Sequence, residues 1–123
     1  MGKFVIKNSG SGYSFNLKAG NGEVIAAGTK VFDSLDAVKA VIENVVKYAP
    51  SAAVEDQTVE GFETVSGAKF ELYTDKAGET RFRLKDPEGT ILVVSEGYVK
   101  KDSAKNGIES VKKNAADSPV TEE

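Results

Sequence analysis

The sequence contains neither cysteine nor histidine. Without cysteine there is no disulfide, no thiolate metal site and no thiol nucleophile. Without histidine the chain also lacks the commonest general base and the commonest metal ligand. Catalysis would have to rest on carboxylates, lysines or tyrosines. The candidate carboxylates have local roles at helix caps and turns, and no two of them converge on one place; they are Asp33, Asp36, Asp86, Glu88 and Asp102. We therefore expect no catalytic residues, no metal and no cofactor, and we expect the protein not to be an enzyme.

Long apolar runs are missing as well. No stretch approaches the roughly 20 residues that a membrane helix needs. Residues 1–4 do not lead into the apolar core of a signal peptide, because Lys7, Asn8 and Ser9 interrupt it. We expect a cytoplasmic protein without a membrane partner. The net charge of −3 argues against nucleic acid as the main partner.

What the sequence does contain is a repeat. Residues 69–116 predict two β-hairpins followed by a helix, and a looser copy of this stretch fills the first half of the chain. The copies match at an offset of 66 or 67 residues, in the pairs Lys3/Lys69, Phe4/Phe70, Phe15/Phe82, Leu17/Leu84, Ile42/Ile108 and Val45/Val111. Self-similarity at a fixed spacing indicates a tandem duplication. A half of about 60 residues would be marginal alone, so we expect each copy to depend on the other for its core.

Several short segments predict strands. Apolar and polar residues alternate with a period of two at residues 4–7 and 14–18, which is typical of half-buried strands. Residues 91–94 form a continuous apolar run. Such a run predicts a strand buried on both faces or one that meets another chain, and we favour burial in the centre of the sheet. Residues 52–55 and 118–121 could form closing strands.

Two segments predict helices, because their apolar residues recur at spacings of three and four. The first covers residues 32–49, with Asp33 or Ser34 as its N-cap. The second covers about 102–115 and has a thinner apolar stripe. Gly107 lies inside it, where glycine costs ~1 kcal/mol. A close approach of this helix to the sheet, or to the other helix, would explain the glycine.

The second copy resembles the repeat of the YegP-like family of small uncharacterised bacterial proteins. The resemblance is carried by residues 80–98, TRFRLKDPEGTILVVSEGY, and by residues 103–115, SAKNGIESVKKNA. It implies β(3)-α-β repeats that together form one antiparallel sheet, with both helices on one face and the last strands exchanged between repeats. The first copy departs from the Arg-x-Arg motif, since Ser14 and Asn16 stand there. The family carries no established activity, so the resemblance leaves the function open.

We therefore predict one α+β domain over residues 1–123. Its first repeat spans residues 2–56, a linker spans 57–67, and the second repeat spans 68–121. Because two repeats complete one fold, we expect a monomer.

The clearest surface feature is the basic strand of the second repeat. If its apolar residues point into the core, Arg81, Arg83 and Lys85 line the outer face of the sheet. The hairpin register then sets Glu71 opposite Arg83 and Tyr73 opposite Arg81. The favoured interpretation is an ion pair and a cation–π pair that only stabilise the sheet. The alternative is an anion-binding footprint, so Tyr73, Arg81, Arg83 and Lys85 are the candidate binding residues.

Two functions remain open. We favour a non-enzymatic interaction module that binds an unknown protein or small ligand through the open sheet face or the seam between repeats. The alternative is weak, salt-sensitive nucleic-acid binding through Tyr73, Arg81 and Arg83. The acidic net charge and the absence of an aromatic RNA-binding signature weigh against that alternative.

Overall fold

Each repeat forms three consecutive strands, a helix and a short closing strand. We describe residues 2–122 in a computed structural model of the chain. The first repeat contains β1 (Lys3–Asn8), β2 (Tyr13–Lys18), β3 (Val24–Ala27), α1 (Leu35–Tyr48) and β4 (Ala53–Asp56), with a 3-10 turn at Ala49–Ser51. The second contains β5 (Lys69–Thr74), β6 (Thr80–Lys85), β7 (Ile91–Val94), α2 (Lys101–Asp117) and β8 (Val120–Glu122).

All eight strands belong to one sheet, in the order β4-β5-β6-β7-β3-β2-β1-β8. The six central strands are antiparallel, as expected for strands joined by short hairpins. The two edge strands correct the prediction of a wholly antiparallel sheet, because β4 is parallel to β5 and β8 is parallel to β1. Both parallel pairs join strands that are distant in the sequence or linked by a long return connection, which parallel pairing requires. The sheet is therefore mixed.

The closing strands are exchanged between the repeats, as the resemblance implied. Strand β4 follows the first helix but pairs with β5 of the second repeat. Strand β8 follows the second helix but pairs with β1 of the first repeat. Each repeat thus completes the sheet of the other.

The repeats meet where β3 pairs with β7, which we call the seam. Only one register pair joins these strands there, Ala27 with Val94. These two residues are counterparts at the offset of 67. In an antiparallel pair, a residue opposite its own counterpart lies on a two-fold axis. The repeats are therefore related by a pseudo-two-fold axis through the seam.

Both helices pack on one face of the sheet and enclose a single core. The strands contribute Phe4, Ile6, Phe15, Leu17, Phe70, Leu72, Phe82 and Leu84, and the helices contribute Val38, Ile42, Val45, Ala104, Ile108 and Val111. Ser34 is the N-cap of helix α1, and its Oγ accepts a hydrogen bond from the Ala37 amide at 3.1 Å. Among residues 2–122, neither helix has the length and apolar character to cross a membrane.

Gly107 marks a close approach of α2 to the sheet. A Cβ atom at this position would lie 2.8 Å from Phe82 Cε2 and 2.8 Å from Tyr98 Oη. Since such distances are far below van der Waals contact, only glycine lets the helix come this near. The sheet, rather than the other helix, explains the glycine. In the first repeat, Phe15 is the counterpart of Phe82. There the close approach to the ring is made by Gly28, where a Cβ atom would lie 2.6 Å from Phe15 Cε1.

Strand β7 is central, as predicted from its apolar run, and pairs with β6 and β3. The prediction that it is buried on both faces is wrong. Leu92 and Val93 are both buried in the core, whereas Ile91 and Val94 are half-buried. The reason is a register shift between Leu84 and Lys85, which allows two consecutive residues of β7 to face inward.

Candidate functional site

The face of the sheet away from the helices is the candidate site, and we call it the open face. It is formed by the strand residues that alternate with the core residues, such as Lys3 and Asn16 in the first repeat and Glu71, Arg81 and Arg83 in the second. The linker covers one end of it, where the Val65 amide donates to Glu55 Oε1 at 2.8 Å.

The predicted register of the second repeat is confirmed. Glu71 lies opposite Arg83, and Tyr73 lies opposite Arg81. Arg83 Nε is 2.6 Å from Glu71 Oε1, which makes the predicted cross-strand ion pair. The Arg83 guanidinium carbon also lies 4.5 Å from the centre of the Tyr73 ring. The structure thus places the candidate binding residues Tyr73, Arg81, Arg83 and Lys85 on one patch.

Arg81 has a different partner from the predicted one. The cation over Tyr73 belongs to Arg83, which is its diagonal neighbour. Arg81 Nε instead lies 2.6 Å from Asp75 Oδ2, and Arg81 Nη1 donates to the Ser95 carbonyl at 3.2 Å. Asp75 is held in the β5–β6 turn by hydrogen bonds from two backbone amides. A carboxylate fixed in this way is ready to receive the guanidinium, and the hydrogen bond from Arg81 lowers the pKa of Asp75.

A network of charged residues links β4, β5 and β6, and we call Glu55, Lys69, Glu71, Arg83 and Lys85 the ion network. Glu71 is its centre, with Arg83 Nε at 2.6 Å, Lys85 Nζ at 3.2 Å and Lys69 Nζ at 3.4 Å. Glu55 lies 2.8 Å from Lys69 Nζ. Both carboxylates are almost fully buried, at 2% exposure for Glu55 and 3% for Glu71. Sequence reasoning missed Glu55 and Lys69, because β4 reaches this place only through the strand exchange.

The ion network keeps its carboxylates ionised. A hydrogen bond from Lys69 lowers the pKa of Glu55 to about 2, against the opposing effect of burial. Burial raises the pKa of Glu71, but hydrogen bonds from Arg83 and Lys85 outweigh it, so that this pKa is lowered overall. The hydrogen bond to Glu55 raises the pKa of Lys69. Lys69, Arg83 and Lys85 are therefore engaged by the chain's own carboxylates, as Arg81 is by Asp75. A role for the candidate binding residues in binding a ligand stays a prediction.

The same positions in the first repeat hold different residues. Lys3 and Lys18 lie directly opposite each other, as their counterparts Lys69 and Lys85 do. Between them in the register stand the uncharged residues Val5, Asn16 and Thr121, where the second repeat has its arginine and its two carboxylates. Among the side chains that the structure describes, no carboxylate oxygen lies within 4.0 Å of Lys3 or Lys18.

A shallow cavity of about 390 Å³ lies at the seam. Ala27 and Val94 contribute its apolar part, and Asn16, Arg81 and Glu96 contribute polar groups. The cavity forms where β3 and β7 share a single register pair. A mostly apolar cleft with a few polar groups has the general composition of a small-ligand site, although this one is open.

These features define a class of protein, a tandem duplication of strand-exchanged β-β-β-α-β repeats with both helices on one sheet face and none on the other. A family described as "Domain of unknown function (DUF1508)" matches the chain twice, at residues 8–56 and at residues 75–122. The chain belongs to this family. The resemblance to YegP-like proteins is confirmed, and the family is one of unknown function.

Relatives occur with one repeat and with two. A UPF0339 protein of Bordetella pertussis is 33% identical over 122 residues, which cover 99% of this chain and 96% of that protein. A UPF0339 protein of Treponema denticola is 50% identical over 54 residues, which cover 44% of this chain and 93% of that protein. A UPF0339 protein encoded in the 5′ region of the ptx operon of Stutzerimonas stutzeri is 60% identical over 48 residues, which cover 39% of this chain and 43% of that protein.

Two solved structures share the fold along almost the whole chain. The solution structure of yegP from E. coli, a protein of unknown function, superposes with a TM-score of 0.76 at 28% identity. The match covers 98% of this chain and 91% of that one. The solution structure of a UPF0339 protein from Shewanella oneidensis also has a TM-score of 0.76, at 25% identity, and the match covers 98% of this chain and 90% of that one.

Proposed function

We propose that the protein is a non-enzymatic binding module that receives an acidic protein segment on its open face. The observation that carries the proposal is an asymmetry of charge. The chain as a whole has a net charge of −3, yet cations outnumber carboxylates on the open face. The cations there are Lys3, Lys7, Lys18, Lys69, Arg81, Arg83 and Lys85, and the carboxylates are Glu55, Glu71, Glu96 at the seam and the adjoining Asp75.

The dimensions of the open face suit a macromolecular partner. Neighbouring strands lie ~4.8 Å apart, so eight strands extend over roughly 34 Å. Helices cover the other face, and the linker contacts the open face at Glu55, on the edge strand β4. An extended polypeptide or a flat protein surface can lie across such a face, whereas a small molecule would occupy a fraction of it.

An acidic protein segment fits this surface better than nucleic acid does. Nucleic-acid binding without sequence readout relies on several phosphate contacts and on aromatic rings that stack on bases. Arg81 and Arg83 already lie 2.6 Å from carboxylate oxygens of the chain. The ring of Tyr73 lies against the Arg83 guanidinium. The predicted nucleic-acid footprint is therefore occupied by internal contacts.

The absence of enzymatic activity is part of the proposal. It is supported by the lack of histidine and cysteine, and by the setting of the carboxylate with the largest pKa shift. Glu55 has its lowered pKa because it is paired with Lys69 and held by the linker, which is a structural arrangement. A monomeric state is supported by the strand exchange, since the two repeats complete each other within one chain. A cytoplasmic location stays a prediction.

A titration with a defined acidic peptide tests the proposal. Hexaglutamate is added to the isotope-labelled chain at about 50 mM salt, where surface charges are only weakly screened, and amide shifts are followed by NMR. The triple variant Lys3→Gln/Lys7→Gln/Lys18→Gln removes cations from the open face. The control Lys100→Gln/Lys105→Gln/Lys113→Gln removes the same charge from exposed positions at and within α2.

We expect shifts on the open face, a loss of binding in the first variant and unchanged binding in the control. Equal weakening in both variants would show that the peptide responds only to net charge, and would refute the proposal. So would shifts confined to the helical face.

A further inference from the structure

The pseudo-symmetry of the chain allows the same position on the open face to be compared in the two repeats. It is a pair of facing lysines, which has a carboxylate beside it in the second repeat and none in the first. In the second repeat, Lys69 and Lys85 lie directly opposite each other across β5 and β6. Like charges in such a pair repel each other. The Glu71 carboxylate lies within 3.4 Å of both ammonium groups and relieves the repulsion.

In the first repeat the same pair of lysines has lost this carboxylate. Lys3 and Lys18 are directly opposite across β1 and β2, and Val5 stands in the place of Glu71. Val5 is fully buried, so an apolar side chain covered by its neighbours occupies the position where the second repeat has a carboxylate. Thr121 stands in the place of the second carboxylate, Glu55, and its hydroxyl donates to the Phe4 carbonyl at 3.2 Å.

We infer that the place between Lys3 and Lys18 is a subsite for a carboxylate of the bound acidic segment, held as Glu71 is held in the second repeat. Asn16 takes the position of Arg83 and offers a neutral amide donor on the β2 side. The inference rests on the proposed function, because it assumes an acidic partner on the open face.

The balance of charges favours a single carboxylate as the ligand. In the ion network three cations face two carboxylates, which leaves one positive charge. In the first repeat two lysines with one bound carboxylate would leave the same charge. Glutamate or aspartate of an acidic segment supplies that carboxylate. Lys7 lies on the same face of β1 as Lys3 and can pair with a second acidic residue of the segment.

The most direct test introduces a carboxylate into the subsite by a substitution in the chain itself. Val5→Glu places a carboxylate where Glu71 stands in the second repeat, and Val5→Gln is the neutral control of similar size. Lys18→Gln removes one of the two lysines and serves if Val5→Glu does not fold. Each full-length variant is checked by circular dichroism. It is then titrated with three probes, which are hexaglutamate, succinate and a hexathymidylate oligonucleotide.

We expect hexaglutamate to shift the amides of residues 3–5 and 16–18 in the wild type. Its affinity falls roughly tenfold in Val5→Glu and in Lys18→Gln, the effect of losing one charge-assisted contact, and is nearly unchanged in Val5→Gln. If hexaglutamate binds the open face equally well in Val5→Glu and Lys18→Gln, the subsite is refuted while the proposed function stands. If hexaglutamate does not bind the wild type, both fail. Tighter binding of succinate or hexathymidylate at this place would overturn the acidic segment as the ligand.

Discussion

Ala27 and Val94 lie opposite each other in the sheet and are the same residue position of two successive repeats. The pseudo-two-fold axis between them passes through the place where the sheet has the fewest paired residues, because Ala27 and Val94 are the single register pair of β3 and β7. The exchanged strands β4 and β8 add two further connections between the repeats, each through several register pairs. The integrity of the whole fold therefore depends on the exchange as well as on the seam.

An isolated second repeat should assemble into a dimer. In a shortened chain of residues 57–123, β5 lacks its neighbour β4, β8 lacks β1, and β7 lacks β3. A second copy can supply all three contacts through the same two-fold relation, with each β8 pairing with the β5 of the other copy. We expect a dimer in analytical ultracentrifugation and a melting temperature that rises with concentration.

The full chain at equal concentration serves as the control, since its melting temperature should not depend on concentration. A folded, monomeric fragment would contradict this prediction. The Treponema denticola relative is matched over 93% of its length by 54 residues and so holds little more than one repeat, which makes it a second protein for the same measurement.

Gly107→Ala should destabilise the protein, although alanine favours helix formation by ~1 kcal/mol over glycine. The added Cβ would lie 2.8 Å from Phe82 Cε2, and Phe82 is fully buried and cannot move aside. Overpacking of this kind costs ~1–3 kcal/mol. After the helix-propensity gain is subtracted, we expect a net loss of up to about 2 kcal/mol in the free energy of unfolding, measured with urea. Asn106→Ala at the exposed neighbouring position is the control and should be neutral or slightly stabilising.

The strands and helices could be predicted because periodicity reports which residues face the core. The Glu71–Arg83 pairing followed from the same alternation, once the core residues of β5 and β6 were aligned. The direction of the edge strands could not be predicted in this way. Strands β4 and β8 have four and three residues, too few for a period, and their partners are chosen by the exchange. The resemblance to a family, rather than the residues, indicated that exchange.

Acid should weaken the fold through Glu55. Its pKa is lowered in the folded state from an ordinary 4.5 to about 2. A lowered pKa contributes stability at pH values above 4.5, and this contribution is lost as the pH falls from about 4.5 to about 2. A shift of this size corresponds to roughly 3 kcal/mol at most. We expect Glu55→Gln to be less stable than the wild type at pH 7 and to lose less stability between pH 5 and about 2.5.

The measurement is urea unfolding at a series of pH values, with Glu60→Gln in the exposed linker as the control. The control should keep the acid sensitivity of the wild type. If Glu55→Gln loses stability in acid as steeply as the wild type does, Glu55 is not the group responsible, and Glu71 becomes the next carboxylate to replace.

The candidate site could be predicted from the sequence less completely than the fold. The four predicted residues do meet on one patch. Two carboxylates were not predicted as partners, namely Asp75, which pairs with Arg81, and Glu55, which pairs with the neighbouring Lys69. Glu55 lies on the exchanged strand β4, so its contact with Lys69 depends on tertiary structure. Asp75 lies in a turn, where a short polar residue already has a local role in hydrogen bonding the backbone. Its second role toward Arg81 has no separate signal in the sequence.

Converting the second repeat into a copy of the first should create a second anion subsite. Glu55→Thr together with Glu71→Val installs the residues that stand at Thr121 and Val5. The cations of the ion network then lose both carboxylates, so we expect the free energy of unfolding to fall by about 2 kcal/mol or more. In the variant, Lys69 and Lys85 would face each other as Lys3 and Lys18 do.

Isothermal titration with hexaglutamate should therefore change from one peptide per chain to two. The control Glu60→Thr/Glu63→Val removes the same two charges from exposed linker positions and should still bind one peptide. A folded double variant that still binds one peptide would mean that paired lysines on this sheet do not by themselves recruit a carboxylate. That result would also remove the main support for assigning a ligand to Lys3 and Lys18, because both subsites rest on the same geometry.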